Sequence, residues 1–236
     1  MMSDPERCTA EFSEVVKQPA LEPRFNIAPS QGVWVVRAVG RGTERRLDLL
    51  RWGFPARGGS GTALAMVRSE SLETRPSFAP AFRARRCLFL ADGFYEWKRS
   101  ATKSQPYCFR LPRAEPFAMG GIWRPAPAAR DDERALLDSC SVITRPASAP
   151  VDAVHDRMPA LIAPEDYDRW LDPDFGDVSS LARMLIRELP FELGATPVGP
   201  RVNSPANDDA ACLAPATDDD LRGEQYELWP ARRTSP

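Results

Sequence analysis

Seven short β-rich runs occupy the first two-thirds of this 236-residue chain, and the clear helical patterns come only after them. The runs are Gly32–Val39, Arg46–Trp52, Leu64–Val67, Cys87–Leu90 continuing toward Trp97, Tyr107–Leu111, Phe117–Trp123 and Cys140–Thr144. Strands in succession followed by helices point to an α+β domain built on a mainly antiparallel sheet, with the helices peripheral to it. Gly40-Arg41-Gly42 reads as the turn between the first two runs, and Pro55 to Gly61, with three glycines, as a mobile loop. Pro125 to Asp132 is a loop rich in proline, alanine and charge.

Helical signals are few. Phe12, Val15 and Val16 form one short amphipathic pattern that ends before Pro19, and Arg75 to Phe82 has room for a helical turn or two. Pro164-Glu165-Asp166 opens a helix with proline near the first position and acids in the first turn. Asp177 can cap another, in which Val178, Leu181, Ala182, Leu185 and Leu189 follow helical spacing. No internal repeat is visible. One domain over residues 1–216 is expected, followed by a flexible tail over 217–236 that carries Asp218-Asp219-Asp220 and Arg232-Arg233.

A hydrophobic content of 43% suffices for a core at this length. No apolar run is long enough to span a membrane, and the polar start Met1-Met2-Ser3-Asp4-Pro5-Glu6-Arg7 has no apolar signal core, so a cytoplasmic protein is expected. Five cysteines, Cys8, Cys87, Cys108, Cys140 and Cys212, include no Cys-x-x-Cys pair. That spacing argues for reduced thiols, against a disulfide framework and against structural zinc. With one histidine in the chain, a histidine-rich metal site is excluded, and neither metal nor cofactor is expected.

The net charge of −2 conceals an uneven distribution. Residues 1–124 carry 20 Lys and Arg against 12 Asp and Glu, and residues 125–236 carry 11 against 21. Of the 31 basic side chains 28 are arginine, which suits bidentate phosphate contacts. Two readings stay open: a basic first half that meets nucleic acid, or arginines that pair with the acidic second half.

Two dense runs carry the chemistry. Ala91-Asp92-Gly93-Phe94-Tyr95-Glu96-Trp97-Lys98 sets an acid between aromatic neighbours, whose desolvation would raise the Glu96 pKa into the range useful for proton transfer. Val154-His155-Asp156-Arg157-Met158-Pro159 holds the only imidazole. The two groups suggest a proton-transfer pair, Glu96 with His155. On their own, Glu96 reads equally as a structural acid at a strand end and His155 as a satisfied loop histidine. Arg68 and Arg157 read as phosphate-binding forks or as partners that neutralise Glu70 and Asp156. Trp34, Trp52, Trp97 and Trp123 are core candidates.

Nine segments in order resemble the SRAP family, the SOS response-associated peptidases or abasic-site-processing proteins. They are Arg24-Phe25-Asn26-Ile27-Ala28-Pro29, Arg51-Trp52-Gly53, Arg68-Ser69-Glu70, Arg86-Cys87-Leu88, Ala91 to Trp97, Gln105-Pro106-Tyr107, Ala118-Met119-Gly120-Gly121-Ile122-Trp123, His155-Asp156-Arg157-Met158-Pro159 and Arg201-Val202-Asn203. Together they cover roughly residues 24–215 and leave 1–23 as a divergent N-terminal segment. The resemblance implies a barrel-like α+β fold and binding of abasic sites in single-stranded DNA. In the family a cysteine at position 2, exposed by removal of the initiator methionine, captures the ring-opened sugar as a thiazolidine. The resemblance implies proton transfer by Glu96, assistance from His155 in imine formation and crosslink reversal, phosphate contacts from Arg68 and Arg157, and a pocket contact from Asn26.

The chain departs from that pattern in three positions. It begins Met1-Met2-Ser3-Asp4 where the family has Met-Cys-Gly-Arg, reads Met66-Val67-Arg68 where the family has Asn-Ala-Arg, and has no aromatic in Pro55–Gly61 where the family carries a tryptophan. A thioether cannot donate the amide hydrogen bonds of an asparagine. The reading placed first is non-covalent recognition of abasic single-stranded DNA. The alternatives are an abasic-site lyase or autopeptidase that uses the Met1 amine or a processed Cys8, and a catalytically silent scaffold for a protein partner. The first reading expects Glu96 and His155 to face each other in one concave, arginine-lined cavity.

Overall fold

The computed structural model describes residues 1–12, 21–38, 44–55, 62–100, 103–126, 137–188 and 192–221. The β-rich runs become β1 (Gly32–Ala38), β2 (Arg45–Trp52), β3 (Met66–Arg68), β4 (Arg86–Ala91), β5 (Phe94–Arg99), β6 (Ser104–Arg110), β7 (Phe117–Arg124) and β8 (Ser139–Pro146). Three short strands join them: β9 (Arg157–Pro159), β10 (Leu161–Ile162) and β11 (Gly194–Pro197). The helices are α1 (Pro5–Thr9), α2 (Ala79–Ala84), α3 (Tyr167–Leu171), α4 (Val178–Ile186) and α5 (Asp218–Leu221).

Five strands close on themselves. β7 pairs β4, β4 pairs β1, β1 pairs β2, β2 pairs β8, and β8 returns to β7. Every ring contact is antiparallel except β2 with β8, where Arg51 and Trp52 run beside Ser139 and Cys140. β8 is long enough to serve four neighbours: β2 and then β3 along one edge, β7 and then β9 along the other. A separate three-stranded sheet, ordered β11-β6-β5, carries Glu96.

Alternation along the ring strands separates two cores. Val33, Val35, Leu50, Cys87, Phe89, Cys140 and Val142 form one cluster, and Val36, Leu47, Leu88, Leu90, Ala118, Ile122 and Ile143 join the helices in a larger one. A five-stranded ring has no room for helices inside, so the smaller cluster is its interior. Gly121 shows how tight that interior is: a Cβ there would lie 2.3 Å from the Phe89 ring. One end of the ring holds Arg37, paired with Asp48 at 2.5 Å and Asp138 at 2.6 Å and lying 4.0 Å over Trp123.

Arg86 organises the outside. Its buried guanidinium donates to the carbonyls of Phe82 and Arg83 at the end of α2, and to those of Trp170, Asp172 and Phe175 at and beyond the end of α3. Helix C-termini leave their last carbonyls without backbone donors, and one cation here serves two such ends. Burial pulls its pKa down to about 10, with Asp172 opposing the shift.

Several expectations change in detail. A short helix lies at Pro5–Thr9, capped by Asp4, while Val15 and Val16 of the expected pattern lie outside the described residues. Asp177 does cap α4, accepting from the Ser179 amide. The tail begins with a helical turn at Asp218–Leu221, where Thr217 and Asp220 exchange hydrogen bonds. The four tryptophans expected in the core are half-buried on its margins, and among the described residues the fully buried one is Trp170. The turn at Gly40–Gly42, the loop at 56–61, the stretch 127–132, Leu189 and the chain from Arg222 onward lie outside the described residues. All five cysteines are buried and unpaired. Among the described residues there is no cluster of three metal-ligating side chains and no helix long and apolar enough to cross a membrane.

Candidate active site

Glu96 sits in the middle of β5 with Tyr107 of β6 as its cross-strand partner. Strand alternation turns Tyr95 and Trp97 to the opposite face, where they pack with Met1 and Cys108. The flanking aromatics therefore do not shield the acid, contrary to the expectation from the sequence. Glu96 shares its own face with Tyr107 and Phe94, which belong to the cluster that includes Val154. Burial pushes its carboxyl up to about 7, opposed by His155 and reinforced by Asp156. At neutral pH such a group exists in both protonation states, as a general acid–base requires.

His155 follows a short turn at Val151–Ala153 and lies just before β9. Its Nδ1 is 3.8 Å from Glu96 Oε2 and 3.5 Å from Asp156 Oδ1. The same nitrogen lies 3.1 Å from the Arg157 amide and 3.0 Å from the Arg157 carbonyl. A neutral ring can accept from that amide, and a ring protonated at Nδ1 can donate to that carbonyl. The backbone of Arg157 thus holds the imidazole against Glu96 in either state. Residues 59 apart in sequence are brought together by strands of two different sheets.

The arginines divide. Arg68 ends β3, is exposed, and makes no hydrogen bond or ion pair with a described residue. Its cross-strand partner is Thr144. The Thr144 carbonyl accepts from Arg157 Nη2 at 2.7 Å, which links Arg68 through β8 to the His155 segment. Arg157 is largely buried, and both its terminal nitrogens are committed to Glu70, at 2.7 and 2.9 Å. Those hydrogen bonds hold the Glu70 carboxyl down at about 2.

Asn26 is buried, and its amide nitrogen donates to the carbonyls of Val202, Ser204 and Asn207. Asp208 accepts from the amides of Phe25 and Asn26 and pairs with Arg24. Trp97 Nε1 donates to Asn203 Oδ1 at 2.7 Å. These contacts fasten the segment Arg24–Asn26 and the loop 201–209 behind β5, so the Asn26 amide positions backbone. Its amide hydrogens are spent there.

Arg24 with Asp208, Arg37 with Asp138 and Arg45 with Asp168 pair first-half arginines with second-half acids. Part of the charge asymmetry is therefore internal pairing, although Arg157 with Glu70 joins the halves in the opposite sense. A cavity of about 240 Å³ lined by Arg145, Ser148, Met158, Arg187 and Glu188 lies elsewhere, and neither Glu96 nor His155 lines it.

Neither alternative nucleophile adjoins Glu96. The Met1 amine is buried, donates to the Gly93 carbonyl at 2.8 Å, and has its pKa lowered by that burial despite Asp92. The Met1 side chain lies on the Tyr95 face, with its sulfur 3.5 Å from the Tyr95 hydroxyl, opposite to Glu96. Asp92, itself buried, accepts from the Ser3 amide and hydroxyl and from the Asp4 amide, and so fixes the start of the chain. Cys8 is buried within α1, its thiol pushed up to about 12 by burial, and its amide is hydrogen-bonded to the Asp4 carbonyl.

The neutralising alternative set Glu70 beside Arg68 and Asp156 beside Arg157, whereas in the structure Glu70 pairs with Arg157. The signal available was the acid two residues after Arg68 in the Arg68-Ser69-Glu70 run.

A family model described as SOS response associated peptidase (SRAP) matches residues 1–205, and so includes the divergent first 23. The chain is 31% identical over 210 residues to the abasic site processing protein YobE of Bacillus subtilis, covering 83% of this chain and 94% of that protein. It is 32% identical over 180 residues to the abasic site processing protein HMCES of Rattus norvegicus, covering 63% of this chain and 49% of that protein. A solved structure of a protein from Bacteroides thetaiotaomicron superimposes with a TM-score of 0.69 at 19% identity, covering 92% of this chain and 98% of that one.

Proposed function

Because the chain belongs to the SOS response associated peptidase (SRAP) family, we propose that it recognises abasic sites in single-stranded DNA and holds them without a thiazolidine crosslink. The observation that carries this reading is Glu96, its carboxyl pKa raised by burial and 3.8 Å from the lone imidazole, with the Arg68 guanidinium, unpartnered among the described residues, on the strand end joined to the same segment. An opened abasic sugar presents an aldehyde and hydroxyls, for which a carboxyl that both donates and accepts is a suitable partner. Arg68 supplies the phosphate contact. Position 2 carries Met2 instead of cysteine, buried and paired through its backbone with Arg24, which supports binding without thiol capture. On this reading the protein is cytoplasmic and joins the nucleoid when bound to DNA.

Fluorescence anisotropy with an abasic oligonucleotide and its intact counterpart tests the proposal. Tighter binding to the abasic strand is expected, with the logarithm of affinity falling linearly against the logarithm of salt. Arg68→Gln is expected to weaken binding and to reduce that slope by about 0.7, the value for one phosphate contact on a single strand. Equal affinity for both strands, or no salt dependence, removes the reading.

Borohydride added to the complex is expected to trap no adduct, because the Met1 amine is enclosed. An adduct that vanishes when the α-amine is blocked would replace non-covalent binding with imine chemistry.

A further inference from the structure

Arg157 has the charge and fork of a phosphate ligand, yet its two terminal nitrogens face the two oxygens of Glu70 in parallel, at 2.7 and 2.9 Å. One of those nitrogens also donates to the Thr144 carbonyl. Its Nε is buried and has no hydrogen-bond partner. The side chain retains only 14% of its exposure, whereas that of Glu70 retains 54%. A carboxylate in this bidentate geometry presents oxygens as a phosphate would. Glu70 lies at the open side of the pair, in the short turn that follows Arg68.

We propose that Glu70 is an internal phosphate mimic that occupies the Arg157 fork, so that Arg68, unpartnered among the described residues, is the standing phosphate contact and Arg157 becomes one only when Glu70 swings out. Glu70 thereby determines how many backbone phosphates the site engages. It is a specificity-determining residue that acts through Arg157. The assignment rests on the DNA-binding reading above for its biological meaning, but the vacated fork can be detected with a simple anion.

Two measurements on the full chain decide it. In the first, thermal melting is followed as sodium sulfate is added. Sulfate stabilises proteins in general, so the comparison is with the unsubstituted chain at the same ionic strength. Glu70→Gln, which keeps the side-chain shape and removes the charge, is expected to show an additional saturable rise in Tm. The rise should be absent from the unsubstituted protein and from Glu70→Gln combined with Arg157→Gln. Arg157→Lys as the second substitution preserves the charge should Arg157→Gln melt too early to compare, and it should lose most of the rise because an ammonium cannot chelate as a fork does. No additional rise in Glu70→Gln, or an equal rise in the double variants, overturns the assignment.

In the second measurement, Glu70→Gln is expected to bind the abasic oligonucleotide roughly tenfold more tightly, the low end for a hydrogen bond to a charged group, with a salt slope steeper by about 0.7. Weaker binding would mean that Glu70 holds Arg157 in its productive position, and an unchanged slope would mean that no phosphate was gained. Either outcome overturns the mimic. If the unsubstituted protein binds no DNA while the sulfate effect appears, the gate stands and the abasic-site reading falls.

Discussion

Arg86→Met is expected to destabilise the protein by about 3–5 kcal/mol, the upper part of the range for breaking a buried hydrogen-bond network. Methionine fills a similar volume but donates nothing. Five carbonyls, from Phe82, Arg83, Trp170, Asp172 and Phe175, lose their shared donor at once. Each acceptor left buried and unsatisfied costs about 1–3 kcal/mol, and relaxation or entry of water recovers part of the sum. Arg86→Lys should recover only a fraction, since an ammonium cannot span two helix ends as the guanidinium plane does. Urea unfolding monitored by tryptophan fluorescence measures both variants. A Met variant within about 1 kcal/mol of the original would show that the two helix ends find other donors.

The second large effect is a pH dependence carried by Glu96. Burial raises its folded-state pKa to about 7, while an unfolded glutamate titrates near 4.3. Below about pH 4 both states hold the proton and Glu96 contributes no difference. As the pH rises, the unfolded chain releases its proton first, so stability falls steadily until about pH 7 and stays at the lower level above it. The loss expected from this one group is about 2 kcal/mol, allowing for its remaining contact with solvent. Glu96→Gln is a neutral isostere and should therefore be more stable than the original at pH 8, by about the same amount, while losing any proton transfer at the site. Melting temperature measured from pH 4 to 8 should show a shallower decline in the variant. An identical decline in both proteins would assign the titration to another group.

The positions of the main strands were legible because half-buried strands leave a β-rich, alternating trace. Ring closure was expected only through the family resemblance, because it depends on β8 meeting both β2 and β7, pairings that no local pattern encodes. The brief strand at Arg157–Pro159 was read only as a motif, being too short for periodicity to act on. Glu96 and His155 stood out in their own runs, an acid between aromatics and the lone imidazole, and the family resemblance favoured them over their structural readings, but their 3.8 Å approach is a tertiary fact. The raised Glu96 pKa comes from neighbours on its own face, Tyr107 and Phe94, and not from those beside it in sequence. Residues adjacent in a strand face opposite ways, so Tyr95 and Trp97 could not be its shield.

Asn26 and Arg86 carry a related lesson. Both lie in family-like runs and both spend their donors on main-chain carbonyls, all of them distant in the chain for Asn26 and most of them for Arg86. A polar residue in a motif can thus be there for the scaffold. Only the fate of its hydrogens distinguishes that role from contact with a ligand, and this is not written in spacing. Glu70 was visible as a charge near Arg68, but its partner proved to be Arg157, reached across β8.

The central position of β8 also sets an order of events during synthesis. As the polypeptide leaves the ribosome, β1 can meet β2, and β4 can meet both β1 and β7. The far edge of β2 and the whole of β3 then wait for Ser139–Pro146 to emerge. Until that segment arrives, a nascent chain presents open edges able to pair with another molecule, so aggregation competes with folding in that interval. Chaperone dependence should therefore concentrate in chains halted before β8.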